Sequence, residues 1–257
     1  MTALLIAGAS VIGLVAGALL DPLGQQLAAR SSRKHRSKHE APPAQPVEPV
    51  AYGPVRESGW PPQLLPVGFS PIRTLGAALI TGGLFAGAAH RFGPHPVLVP
   101  FCVFFAALVV VSTTDLSYGL IPRLVVYPAM AAVVGLLVAV AGADGQWHRL
   151  GSAAIGAAAA FIVLFVIWWL APRGMGFGDV RLSALIGLAT GWIGLLDTYV
   201  ALLSAFVVGL LFGIATAGLR GIGRKIRVPF APALALGAIV AVFWGAPIVQ
   251  AALDRTI

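Results

Sequence analysis

Cysteine and charge are both scarce in this chain of 257 residues. The single cysteine, Cys102, lies inside an apolar run. A disulfide framework needs paired cysteines and a cysteine-based zinc site needs several, so neither can form within one chain. Charged residues make up only 10% of the chain, against about 25% in a typical soluble domain. The composition therefore excludes an ordinary soluble protein.

Hydrophobic residues make up 58% of the sequence and fall in long runs separated by charged or Pro- and Gly-rich breaks. A helix needs about 20 apolar residues to cross a bilayer. The pattern predicts an all-α polytopic membrane protein with about eight transmembrane helices. The predicted spans are 2–20, 74–90, 96–113, 120–142, 150–171, 180–196, 198–219 and 230–250.

The basic residues predict the orientation. The first apolar segment has no basic residue before it and several after it, which favours a retained helix with its N-terminus outside over a cleaved signal peptide. With that orientation, 14 of the 17 basic residues face the cytoplasm, since only Arg91, Arg149 and Arg255 fall on the outer side. The same assignment places Asp115 and Asp179 on the cytoplasmic face, although no acid was used to make it.

Three regions follow from this pattern: a first transmembrane helix at 1–22, a basic and Pro-rich cytoplasmic linker at 23–73, and a seven-helix membrane domain at 74–257. The prolines between 42 and 66 remove backbone donors and indicate an irregular linker. Basic residues between 220 and 227 could contact nucleic acid in principle. Between two spans they instead indicate a topological role and contact with anionic lipid, so no nucleic-acid partner is expected.

Glycines recur four residues apart within the spans, a spacing that lets helix backbones approach closely in lipid. The pairs are Gly13 and Gly17, Gly83 and Gly87, Gly187 and Gly191, and Gly209 and Gly213.

The stretch around Asp179 carries the strongest chemical signal. Gly174, Gly176 and Gly178 precede it, and we expect them to form a turn that uses positive φ. Asp179 then opens the next helix, where a carboxylate can cap backbone amides. A phosphate site is disfavoured, because the glycine spacing lacks the Lys-Ser/Thr of a P-loop and the acid would repel an anion.

Asp115 is the second candidate, because it follows the 96–113 span and precedes another backbone break. Alone, it could be a helix cap or a solvated loop acid. Together with Asp179 at the same membrane surface, it could form an acid–base pair, since two close carboxylates share a proton. One can then activate water while the other polarises a peptide carbonyl. The remaining acids, among them Asp144 and Asp197, fall on the outer side and are expected to be loop acids, with Asp21 a minor third candidate.

The sequence resembles the type IV prepilin peptidases, or leader peptidases, which are membrane aspartic proteases of the Gly-x-Gly-Asp class. Gly176-Phe177-Gly178-Asp179 matches their signature, and Asp115 with Ile121-Pro122 matches their other aspartate motif. Val228-Pro229-Phe230-Ala231-Pro232 is similar to their C-terminal element. The likeness covers about residues 75–245.

This resemblance implies an aspartic endopeptidase with Asp115 and Asp179 as catalytic residues. It implies an active-site loop that comprises Gly174, Gly176, Gly178, Arg181, Ile121 and Pro122, with Arg181 where the family usually has lysine. It further implies no cofactor, a prepilin or pseudopilin substrate in the bilayer, a role in type IV pili or secretion, and a multi-pass place in the bacterial cytoplasmic (inner) membrane with the site facing the cytoplasm.

The sequence departs from the family before residue 74. Many members carry two Cys-x-x-Cys pairs there, which form a zinc module linked to N-methylation of the new N-terminus. The corresponding region here has no cysteine, so we expect neither bound metal nor, by the same reasoning, methyltransferase activity.

Two alternatives stay open from the sequence. A transporter or proton-coupled carrier could use the two aspartates, although it predicts acids near the middle of broken helices. A non-catalytic assembly scaffold with the same fold would tolerate replacement of both. The sequence leaves the oligomeric state undetermined.

Overall fold

A computed structural model describes residues 2–37, 71–171, 175–220 and 229–254. Within these ranges the chain forms eight α-helices and no strand, which confirms the predicted all-α membrane fold. The helices are α1 (Thr2–Ser37), α2 (Pro71–Phe92), α3 (Leu98–Tyr118), α4 (Arg123–Asp144), α5 (Trp147–Leu170), α6 (Phe177–Ile193), α7 (Leu195–Arg220) and α8 (Ala231–Leu253). Most of the predicted linker, Gly174 and the basic stretch 221–228 lie outside the described residues.

Seven of these helices are long and apolar enough to cross a membrane. The exception is α6, which has 17 residues. Two helices extend by more than three residues past the ends of their predicted spans. The first helix continues from the predicted span 2–20 to Ser37, and α3 continues to Tyr118, so that Asp115 lies in its last turn and not after it.

Hydroxyl side chains explain the late end of α3. Thr113, Thr114 and Ser117 donate to the carbonyls of Val110, Val111 and Thr113 at 3.0, 2.9 and 2.8 Å. These bonds satisfy the hydroxyls within the helix itself. A prediction based on apolar runs therefore stops at the first polar residues, whereas the helix continues for one more turn.

The centre of the bundle is α3. It contacts α1, α2, α4, α6 and α8, while α1 pairs with α2, α5 with α6, and α7 with α8. Its aromatic side chains Phe101, Phe104 and Phe105 are fully buried, and Phe105 stacks on Phe243 of α8 with ring centroids 5.6 Å apart. This packing brings the C-terminal end of α3 against the beginnings of α6 and α8.

Close helix approach is confirmed for two of the four glycine pairs. A Cβ atom on Gly13 or Gly17 would lie 2.8 or 2.7 Å from backbone atoms of α2. Gly187 and Gly191 lie in the same way against α5, where Gly156 faces them. These glycines allow α1 to pack on α2 and α6 on α5 at backbone contact.

The prediction is wrong for one member of each remaining pair, because a Cβ built on Gly83 or Gly213 comes within 4 Å of no other helix in the described part of the chain. Their partners face aromatic rings instead of another backbone: Gly87 contacts Phe243, and Gly209 contacts Phe230.

Candidate active site

Asp115 is buried at the end of α3, with 7% of its surface exposed. Its Oδ2 accepts a hydrogen bond of 3.2 Å from the backbone N–H of Ala231, the first residue of α8. The helix ends just beyond it at Gly119, whose φ of 61° is in the left-handed region that glycine adopts without strain. The carboxylate is thereby directed towards the N-terminus of α8.

Asp179 is the third residue of α6, as the sequence predicted when it placed this acid at a helix start, and it is 6% exposed. Its Oδ2 accepts from the N–H of Gly176 at 3.2 Å, and its own N–H donates to the carbonyl of Gly176 at 3.1 Å. Its Oδ1 is buried and has no hydrogen-bond partner among the described residues. One oxygen therefore fixes the loop, and the other is left for a different partner.

The glycines of the loop serve a different purpose from the one predicted. Gly176 has a φ of −77°, and among the described residues positive φ is found only at Gly93, Gly119 and Gly145. Gly178 is required for space, because a Cβ there would lie 2.8 Å from Cβ of Ile121. The predicted positive-φ turn is thus wrong at 176 and 178.

The contact between Gly178 and Ile121 joins the two aspartate motifs. Ile121 and Pro122 connect α3 to α4, and Pro122 precedes α4 in an extended conformation with φ −67° and ψ 124°. The loop that follows Asp115 therefore packs on the loop that carries Asp179. The two carboxylates lie at the same end of the bundle, as the predicted topology requires.

The charges at this end act on each other. Asp179 lies outside the seven long apolar helices, and the pKa of its carboxyl is raised to about 7. Burial is the largest cause and the negative charge of Asp115 the second, while hydrogen bonds from backbone amides act in the opposite direction. The pair therefore keeps one proton to near-neutral pH, and Asp115 lies close enough for its charge to act on Asp179.

Two of the other acids have partners away from the pair. The carboxylate of Asp21, the minor third candidate, lies 3.6 Å from Nε of Arg73 and accepts from Thr74 at 3.4 Å, which ties α1 to α2. Asp144 lies at the opposite end of the bundle, 3.4 Å from His95. Asp197 was expected to be a loop acid but is the third residue of α7 and is buried. Its Oδ1 has no hydrogen-bond partner among the described residues.

Sequence reasoning missed two contributions to the site. The amide of Ala231 holds Asp115, and the motif from Val228 to Pro232 was its signal, although no role was assigned to it. The second is the ring of Tyr127, which lies against Arg181. No sequence signal distinguished this tyrosine from its apolar neighbours.

Residues 102–214 match the model of the type IV leader peptidase family. A prepilin leader peptidase/N-methyltransferase of Bacillus subtilis is 33% identical over 176 residues, which are 68% of this chain and 67% of that protein. The chain belongs to the type IV leader peptidase family. Prepilin leader peptidase/N-methyltransferases of Burkholderia pseudomallei and Pseudomonas putida are 33% and 31% identical, over 66% and 68% of this chain. The search of solved structures found no match.

Family membership confirms the resemblance and the prediction of an enzyme of the peptidase class. With seven helices able to span a membrane, the bacterial relatives indicate a multi-pass protein of the inner membrane. The chain spans 54% and 58% of the Burkholderia and Pseudomonas proteins. The family match includes both aspartate motifs and ends before Ala231.

Proposed function

We propose that this chain is an aspartic endopeptidase that removes the short leader of prepilin or pseudopilin substrates, with Asp115 and Asp179 as its catalytic pair. One observation carries the proposal. Two buried carboxylates from α3 and α6 lie so close that the charge of Asp115 raises the pKa of Asp179. Structural acids are normally paired with cations or fully hydrogen-bonded, whereas Oδ1 of Asp179 has no partner among the described residues. Oδ1 of Asp197 also has none, so the second carboxylate, and not the unpartnered oxygen alone, distinguishes Asp179.

The pair supplies both halves of peptide hydrolysis. Two adjacent carboxyl groups that share one proton exist as one acid and one base. The base takes a proton from water, and the water oxygen attacks the carbonyl carbon of the scissile bond. The acid gives its proton to the carbonyl oxygen, and the tetrahedral intermediate then expels the amine, which leaves with a proton returned by the pair. Either aspartate can begin as the base, because the pair titrates as a unit.

The proposed active-site loop holds Asp179 in place. The N–H of Gly176 binds Oδ2 of Asp179, and the missing Cβ of Gly178 makes room for Ile121. Pro122 starts α4 directly after this contact. Gly174, which belongs to the same proposed loop, lies outside the described residues.

The proposed site faces the cytoplasm. The basic residues favour an outside N-terminus, and a substrate with a short leader before an apolar helix would lie in the bilayer with its scissile bond at that surface. The competing carrier hypothesis requires acids near the middle of a span. The position of Asp115 in the last turn of α3 and of Asp179 in the first turn of α6 supports the peptidase instead.

The test is cleavage of a co-expressed prepilin by membranes that contain the wild type, Asp115→Asn or Asp179→Asn. Asparagine keeps an oxygen that can accept from Ala231 or Gly176, so both caps survive while the carboxylates are lost. We expect cleavage by the wild type and by neither variant. Asp144→Asn, at the far end of the bundle, is the matched control and should cleave normally.

Normal cleavage by both variants would show that the aspartates are only caps and would remove the proposed mechanism. Failure of the wild type on several pilin precursors would favour the scaffold. The mass of the cleaved product distinguishes a free N-terminus from a methylated one, and we expect the free form.

A further inference from the structure

Arg181 is an arginine without an acidic partner. Among the described residues, no ion pair joins it to Asp115 or Asp179, and its buried Nε has no hydrogen-bond partner. Its guanidinium carbon lies 4.6 Å from the ring centroid of Phe177 and 5.5 Å from that of Tyr127. These distances are within the range of cation–π contacts.

The two rings belong to different parts of the fold. Tyr127 lies in the second turn of α4, whereas Phe177 is the first residue of α6 and stands between Gly176 and Gly178. Phe177 also contacts Trp168 of α5 in a T-shaped arrangement, with ring centroids 4.9 Å apart. Arg181 thus connects the loop of Asp179 to α4, and Phe177 connects it to α5.

We propose that Arg181, Tyr127 and Phe177 form a clamp that positions the first turn of α6, and with it the carboxyl group of Asp179, for peptide hydrolysis. The inference rests on the proposed catalytic role of Asp179. The hydrogen bonds of Asp179 run to Gly176, directly before α6, so they do not fix the position of this turn relative to the neighbouring helices. The contact of Arg181 with Tyr127 attaches the turn to α4, and the contact of Phe177 with Trp168 attaches it to α5.

The shape of Arg181 matters more than its charge in this clamp. A cation that acted directly on Asp179 would lower the pKa of that carboxyl, but this pKa is raised to about 7. Residues two apart on a helix also do not face each other. A planar guanidinium can stack on two rings, whereas the ammonium of lysine is a compact charge without a plane.

The experiment measures kcat and KM of the purified full chain on a prepilin precursor. Arg181→Met and Tyr127→Leu remove one side of the clamp each, and we expect each to lower kcat about tenfold or more with KM unchanged, because small displacements of a catalytic group cost this much. The double variant should be no slower than the slower single variant, since both act on one element. Arg181→Lys should also lower kcat. Tyr127→Phe keeps the aromatic ring and should retain most of the wild-type kcat.

Tyr199→Leu is the matched control, because Tyr199 is a 63% exposed tyrosine on α7 at the far end of the bundle. It should leave both constants unchanged. Thermal unfolding in detergent checks that each variant folds. If Arg181→Met does not accumulate, Tyr127→Leu decides the question, since that side chain is 51% exposed.

The outcomes separate the clamp from the catalytic pair. If Asp179→Asn is inactive while Arg181→Met and Tyr127→Leu keep the wild-type kcat, the clamp is overturned and the pair stands. A rise in KM alone would overturn it in favour of substrate binding. Full activity of Arg181→Lys beside a slow Arg181→Met would overturn it in favour of charge. Cleavage by Asp179→Asn would remove the catalytic pair itself.

Discussion

A ligand that donated a hydrogen bond to Oδ1 of Asp179 would stabilise the site. A buried oxygen without a hydrogen bond costs about 1–3 kcal/mol, and Oδ1 of Asp179 is such an atom. A proton on this carboxyl, a bound water or a substrate amide would each remove that cost. This unsatisfied oxygen is thus located where the proposed chemistry takes place.

The raised pKa of Asp179 predicts the pH dependence of cleavage. The active pair holds one proton, and the raised pKa of Asp179, about 7, sets the loss of that proton. We expect kcat/KM to fall as pH rises through about 7, and to fall again in acid when the second carboxyl is protonated. An ordinary aspartate, with a pKa of about 3.9, would place the upper limit three units lower.

The measurement is the pH–rate profile of wild-type cleavage between about pH 4 and 9, with substrate below KM. Thermal unfolding over the same range is the control for stability. A raised pKa of Asp179 in the folded state means that its contribution to stability is present in acid and is lost as pH rises through the folded value. A rate that still increases at pH 9 would contradict the proposed proton-sharing pair.

The contact between the two motifs depends on the absence of a single methyl group. Gly178→Ala would place a Cβ 2.8 Å from Cβ of Ile121, and the connection between α3 and α4 would have to move away from α6. We expect cleavage to fall about tenfold or more, because the two carboxylates would be displaced relative to each other. The measurement is kcat on a prepilin precursor.

A second-site change makes this test specific. Ile121→Gly removes the Cβ that collides, so Gly178→Ala with Ile121→Gly should be faster than Gly178→Ala alone. Gly83→Ala, where a built Cβ meets open space, is the matched control for adding a methyl group. Wild-type kcat in Gly178→Ala would show that the contact has no effect on the pair.

The helices could be predicted from the sequence because each is a long apolar run between breaks. Their ends were less predictable, as α3 shows with its hydroxyl-rich last turn.

In the site, Asp179 was predictable at a helix start because the glycine motif precedes it. The hydrogen bond between Asp115 and Ala231 was not, since it depends on how α3 packs on α8. The contact of Tyr127 with Arg181 was equally unpredictable, because nothing in the sequence of an apolar helix indicates which side chain will face an arginine on a neighbouring helix.

The whole molecule has its proposed catalytic groups at one end of a helical bundle, and the basic residues predict that this end faces the cytoplasm. Single-cysteine variants test the orientation in a Cys102→Ala background. A cysteine at His148, an exposed position at the opposite end from the pair, should react with an impermeant maleimide in intact cells. A cysteine at Ser117, exposed near Asp115, should react only after the cells are permeabilised.

The reverse labelling pattern would place the pair on the outer face and contradict the proposed position of the scissile bond. The cysteine-free background without either substitution gives the unlabelled control. The predicted linker between α1 and α2 should lie on the same side as Ser117, because an even number of crossings separates them.

The hydrogen bond from Ala231 to Asp115 joins residues 116 positions apart. During translation, a nascent chain that has inserted α1 to α7 already contains both aspartates, but the amide that holds Asp115 has not yet been made. This hydrogen bond can therefore form only when α8 is present. The order of synthesis leaves this contact of Asp115 until the last of the described helices is in place.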